Sequence, residues 1–260
     1  MKNNRGSKVY LSLFFTILYI PILAVLIFSF NASASTASWT GFSLTWYKEL
    51  FNDRVIMESL ILSLQVGVLT AVFSAVVGTY AAVISLFQTK RRGKTIEGMM
   101  FLPLLVPELA LGISLLILFT FLNVPLGRLT LIIAHSLFTV PYVYIMVRLR
   151  LQEIDRSILE ASRDLGATKW EMVKTIVLPL VYPAILTASL LSLAMSLDDV
   201  VISTYVSGTQ STLPVHVFSM MRVGVTPKIN ALCTAILLMT FTILGLAQID
   251  FKKDKKREVK

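Results

Sequence analysis

From Val9 to Phe30 no side chain carries a charge, and Ser59–Phe87 repeats the pattern. Met99–Leu122 is interrupted only by Glu108 and Leu129–Val147 only by His135, while Thr175–Leu197 and Ile229–Ile249 are uncharged throughout. About 20 apolar residues cross the hydrocarbon core of a bilayer, and a segment there must satisfy its own backbone, which leaves the helix. The pattern predicts an all-α polytopic membrane protein with six transmembrane helices in one domain covering 1–260. The spans fall near 9–30, 59–87, 99–122, 129–147, 176–205 and 229–249. Lys2, Arg5 and Lys8 before the first stretch resemble a secretory leader, but the stretch is longer than a leader's apolar core. Asn31-Ala32-Ser33-Ala34-Ser35 is a weak cleavage site, so the first span is read as retained.

Composition agrees: 55% of residues are hydrophobic, 15% are charged and the mean hydropathy is +0.76. These values exclude an ordinary soluble domain and a disordered chain. The lone Cys233 excludes an internal disulfide and a cysteine-built metal site. The net charge of +9 is a matter of sidedness. Six spans put both termini on one side. That side collects nineteen basic residues, in Lys2–Lys8, Lys90–Lys94, Arg148–Lys174 and Lys252–Lys260, against five on the other. Basic residues stay in the cytoplasm, so both termini are expected there and no nucleic-acid partner is needed.

Pro103, Pro107, Pro141 and Pro183 lie inside spans and are expected to kink or interrupt them. The outer segment Ala32–Arg54 is polar with Trp39, Trp46 and Tyr47, which reads as an interfacial stretch or as a membrane-surface aromatic belt.

The loop between spans four and five (150–179) carries the most specific pattern. Ser157 with Glu160 and Thr168 with Glu171 each have the spacing of a capping box, and Gly166 between them suits a left-handed turn. Two short helices are expected, the first with an apolar edge of Ile158, Leu159, Ser162 and Leu165 that fits a partner's groove or its own membrane domain. Glu160-Ala161-Ser162, Gly166, Ile176, Leu178 and Pro179 resemble in register the EAA loop of ABC-importer permeases; Ser162 stands where that family usually has Ala.

Further segments are similar to the spermidine/putrescine-type permeases, the second of the two permeases in particular. They are Phe28-Ser29-Phe30-Asn31, Trp46-Tyr47, Ser196-Leu197-Asp198-Asp199, Leu213-Pro214 and the stretch from Val223 to Asn230. The resemblance implies the MetI-like permease fold, a bacterial inner-membrane location and a loop that couples to a cytosolic ATPase through Glu160, Ala161, Gly166, Ile176, Leu178 and Pro179. It also implies a second related permease, two ATPase copies that bind ATP and Mg, and an extracytoplasmic binding protein that delivers polyamine.

An acid inside a span is costly and usually faces a pathway. Glu108, Asp198 and Asp199 are therefore candidate pathway acids for a polyamine, whose ammonium groups suit spaced carboxylates and aromatic faces such as Trp46 and Tyr47. The alternatives are a buried hydrogen bond at Glu108 and a helix end held by an internal ion pair at Asp198-Asp199. His135 is read as a structural hydrogen-bonding group in preference to a proton relay. No catalytic or metal-ligand constellation has a credible spacing. Gly93-Lys94-Thr95 ends like a P-loop but has Gln88 where the first glycine belongs, so the chain is expected to bind no nucleotide and no cofactor itself. An ABC permease for iron, sulfate or an amino acid shares the loop. An ion-coupled secondary transporter would have more spans and internal repeats.

Overall fold

The computed structural model describes residues 5–35, 38–224 and 226–238. It divides into two compact units: Glu58–His216, and Met1–Met57 with Val217–Lys260. The elements are α1 (Arg5–Phe28), α2 (Thr45–Asn52), α3 (Arg54–Phe87), α4 (Lys90–Leu105), α5 (Glu108–Phe121) and α6 (Arg128–Gln152). They continue with α7 (Arg156–Asp164), α8 (Lys169–Met172), α9 (Leu178–Asp198), α10 (Val201–Val206), α11 (Leu213–Val223) and α12 (Pro227–Leu238).

Among the described residues, four stretches are long and apolar enough to cross a bilayer: Lys8–Phe28, Arg54–Phe87, Arg128–Gln152 and Lys169–Asp198. The expected third span is not one helix. It is split into α4 and α5, bent by 99°. Val106 is extended (φ −85°, ψ 128°), as the residue before a proline prefers to be, and Pro107 ends the ladder before α5 begins. Pro141 and Pro183, by contrast, lie within continuous helices. The expected fifth span, 176–205, also differs at both ends. It starts earlier, because α8 runs through a π turn at Val173–Val177 into α9, and it breaks at Asp199-Val200 before α10. The expected sixth span begins as α12; its residues 239–249 and the Lys252–Lys260 cluster lie outside the described residues.

The Glu58–His216 unit is organised around α6. Toward one end, Val143, Tyr144, Val147 and Leu151 pack with Ala82 of α3 and with Met172, Val177 and Val181. Toward the other, Leu131 and Ala134 pack with Leu62, Val66, Leu111, Leu115, Ile202 and Val206. In lipid such helices associate through small residues and interhelical hydrogen bonds, because there is no water to escape from. Gly78 shows the first device: a Cβ there would lie 2.7 Å from Val143 Cβ and 2.9 Å from the Val140 carbonyl oxygen. The second appears in the buried Ser74–Thr139 hydroxyl pair at 2.7 Å and in Thr130 Oγ1, which donates to the Val206 carbonyl at 2.7 Å.

Candidate functional site

The 150–179 loop folds by local chemistry. Asp155 begins α7: its Oδ1 accepts from Ser157 N at 2.9 Å, and that bond holds the carboxyl below the usual aspartate range. The Ser157/Glu160 box expected from spacing is therefore not the cap; Asp155, two residues earlier, takes the exposed donor and leaves Ser157 inside the first turn. The helix ends as anticipated. Gly166 sits at φ +84°, its N–H bonds the Arg163 carbonyl at 2.8 Å, and Ala167 N–H reaches back to Ser162 at 3.0 Å.

The Thr168/Glu171 box is formed. Thr168 N donates to Glu171 Oε2 at 2.7 Å and Glu171 N to Thr168 Oγ1 at 3.3 Å; the Thr168 side-chain contact, first of all, lowers the Glu171 pKa. Glu160, Ala161 and Gly166 lie exposed, whereas Ile176 in the π turn and Leu178 at the start of α9 are half-buried and Pro179 sits exposed in the first turn of α9. Val177 between them is fully buried. One end of the motif thus faces outward and the other is continuous with a long helix. The expected apolar edge is divided: Ser162 is buried and Leu159 half-buried, while Ile158 is exposed and Leu165 is 89% exposed. Trp170, 71% exposed, extends the outward surface. The sequence signal for it was an aromatic in an otherwise charged loop. Behind α7 lies a cleft of about 440 Å³, lined by Gln88, Lys94, Glu97, Arg148, Gln152 and Leu159. Arg148 pairs with Glu97 across it at 3.0 Å.

The three acids have different surroundings. Glu108 is the first residue of α5, exposed at the 99° break. Asp198 is the last residue of α9 and exposed. Asp199 is turned inward, its side chain 6% exposed, with Oδ2 3.3 Å from His135 Nε2. Its carboxylate also accepts from Ser203 N at 2.7 Å and Ile202 N at 3.3 Å, which caps α10. The oxygens of Asp199 are thus bound to α6 and α10. His135 is 1% exposed and hydrogen-bonded on both ring nitrogens.

Trp46 and Tyr47 belong to the other unit, where they hold a loop. Trp46 Nε1 donates to the Asn31 carbonyl at 2.7 Å and Tyr47 OH pairs with Ser29 Oγ at 2.7 Å. Asn31 is fully buried; its amide donates to Ser35 and Ser38 carbonyls and accepts from Thr40 N. Phe30 stacks on Phe42 at 5.3 Å. The Phe28–Asn31 motif thus serves to build this loop.

A family model described as the inner membrane component of binding-protein-dependent transport systems matches residues 74–251. The spermidine/putrescine transport system permease protein PotC of Haemophilus influenzae is 38% identical over 239 residues, 91% of this chain and 93% of that protein. The putrescine transport system permease protein PotI of Escherichia coli K12 is 43% identical over 239 residues, 88% of this chain and 84% of that one. A crystal structure of a bacterial ABC transporter that imports alginate matches with a TM-score of 0.74 at 15% identity, covering 94% of both chains. The inward-facing methionine ABC transporter MetNI matches with a TM-score of 0.60 at 19% identity, covering 75% of this chain and 91% of that one. These two establish the fold, that of MetI-like importer permeases. This chain belongs to the family of binding-protein-dependent inner-membrane transport components, a multi-pass transport subunit and not an enzyme.

Proposed function

We propose that this chain is one of two related permeases in an ABC importer that carries spermidine and putrescine into the cell. The 38% identity to PotC over 91% of this chain carries this reading. The site chemistry supports it. Glu108 and Asp198 are exposed acids at two helix breaks, where backbone departs from the helix as it does beside a lined cavity. A chain of ammonium groups separated by methylenes is complementary to such acids set among apolar residues. Asp199 is held within the fold through its carboxylate, whereas Trp46 and Tyr47 are held only through their polar atoms, and what they offer an ammonium group is the ring face.

The outward surface of α7 and α8 (Glu160, Ala161, Leu165, Gly166, Trp170) docks on a cytosolic ATPase, which holds ATP and Mg. The half-buried Ile176 and Leu178, with Pro179, carry its movement into α9. A second permease completes the path, and an extracytoplasmic binding protein delivers the polyamine. Both termini lie in the cytoplasm, on the strength of the basic-residue asymmetry.

The test is uptake of radiolabelled spermidine and putrescine in cells lacking every other polyamine importer, with the second permease, the ATPase and the binding protein supplied with or without this chain. Uptake only when the chain is present supports the reading. Absent polyamine uptake, with binding-protein-dependent uptake of sulfate, iron or an amino acid, would reassign the cargo.

A further inference from the structure

His135 lies on α6, yet its imidazole reaches both sides of the break between α9 and α10. Nδ1 is 2.6 Å from Ser196 Oγ, in the last turn of α9. Nε2 is 2.9 Å from Ser203 Oγ, in the first turn of α10, and 3.3 Å from Asp199 Oδ2, within the break. Each serine hydroxyl donates or accepts by rotating, but the Asp199 carboxylate only accepts, so the bonds all close when Nε2 carries a proton. The histidine is itself held from behind. Its carbonyl accepts from Thr139 Oγ1 at 2.9 Å, and Thr139 pairs with Ser74 of α3 at 2.7 Å. The Phe138 ring covers it, with centroids 5.7 Å apart.

A histidine that merely fills space has no need of partners on two helices joined by an extended residue. Asp199 has ψ 121°, so α9 and α10 meet at a corner and not through a continuous ladder. Inside a membrane an unheld corner exposes backbone groups and swings whatever stands at its edge. The residue at this edge is Asp198. We propose that His135 is a positioning residue for cargo passage: it pins the α9–α10 corner, with Asp199 turned inward, so that Asp198 keeps its exposed place. This rests on the reading of Asp198 as a cargo-facing acid.

The experiment is a double-mutant cycle in the complete importer, expressed in cells without other polyamine uptake. Maximal spermidine uptake is divided by the amount of permease in the membrane for His135→Leu, His135→Gln, Asp198→Asn and the double variant His135→Leu/Asp198→Asn. Acting through Asp198, His135→Leu lowers uptake by about tenfold, as Asp198→Asn does, the scale of one charge-assisted contact. The double variant is no worse than Asp198→Asn alone, since the two act through one group. His135→Gln, with an amide that offers a donor toward Asp199, recovers part of the loss. Losses that multiply in the double variant, or wild-type uptake in His135→Leu, overturn the inference and leave Asp198 its role. Wild-type uptake in Asp198→Asn removes Asp198 from the cargo path and this inference with it. Should His135→Leu fail to reach the membrane, the same cycle is run with His135→Gln, and multiplied losses overturn the inference there too.

Discussion

Asp198 and Asp199 are adjacent in sequence, yet one carboxylate is exposed at the end of α9 and the other is 94% enclosed, 3.3 Å from His135. Adjacent helical residues point about 100° apart, and Asp199, at φ −68°, leaves the helix only after its own Cα. The two neutral variants are therefore expected to fail differently. Asp198→Asn keeps the amount of permease in the membrane and lowers uptake. Asp199→Asn weakens the contact to His135 and costs about 1–3 kcal/mol of stability, so it lowers the amount of intact permease. Quantitative blotting of membranes beside uptake separates the two, and identical behaviour of both variants would refute the distinction.

Gly166 stands at φ +84° with open space where a Cβ would go. The penalty for substitution is therefore one of backbone conformation, about 1–2 kcal/mol for a residue that resists the left-handed region. Gly166→Val is expected to insert normally and to lose uptake, because the turn that presents Glu160, Ala161 and Leu165 is distorted. Gly166→Asn, which tolerates that region, is expected to retain most uptake. Wild-type transport in Gly166→Val would show that this turn has no part in coupling.

These cases show what the amino-acid sequence makes legible. The Gly166 turn and the Thr168/Glu171 box were readable because each is closed by residues within five positions of itself. Asp155 is not singled out as the cap by sequence, because Ser157, with Glu160 behind it, offers an equally good local pattern. The break at Pro107 was visible as a proline, but its 99° angle depends on α5 packing against α10, far along the chain. The inward turn of Asp199 was less readable still, for its partner His135 lies on another helix. Composition does not say which apolar loop residues face outward, and nothing local separates the exposed Trp170 from the half-buried Leu159.

Close helix approach gives a stability prediction. A Cβ at Gly78 would lie 2.7 Å from Val143 Cβ and 2.9 Å from a backbone oxygen of α6, neither of which moves freely. Gly78→Ala is expected to destabilise the fold by about 1–3 kcal/mol through overpacking. Gly98→Ala, also within a helix but with nothing inside 4 Å of the added atom, is expected to be neutral or slightly stabilising. Thermal unfolding of the two purified variants in detergent checks the contrast. Similar melting temperatures would mean that α3 and α6 have room to separate at no cost.

Lys228 Nζ lies 2.5 Å from Asp53 Oδ2 in the unit that contains the described N-terminal residues. The Lys228 hydrogen bond, more than any other contact, holds the Asp53 pKa below its usual value. Oδ1 of the same carboxyl accepts from Val55 N at 3.0 Å and Ile56 N at 3.2 Å, which starts α3. A group whose pKa is depressed by folding contributes stability that is complete above its unfolded value, about 3.9, and disappears as pH falls through the folded one. Asp53→Asn keeps an oxygen for the α3 cap and deletes only the charge. Wild type is thus expected to exceed Asp53→Asn by about 0.2–1 kcal/mol, the range of a partly exposed pair, from pH 7 down to about 5. The gap should narrow once the pH drops below about 4 and shrink at high salt. Melting temperatures of both proteins across that range decide the matter, and a gap that stays constant to the lowest pH would mean that the ion pair does not stabilise this unit.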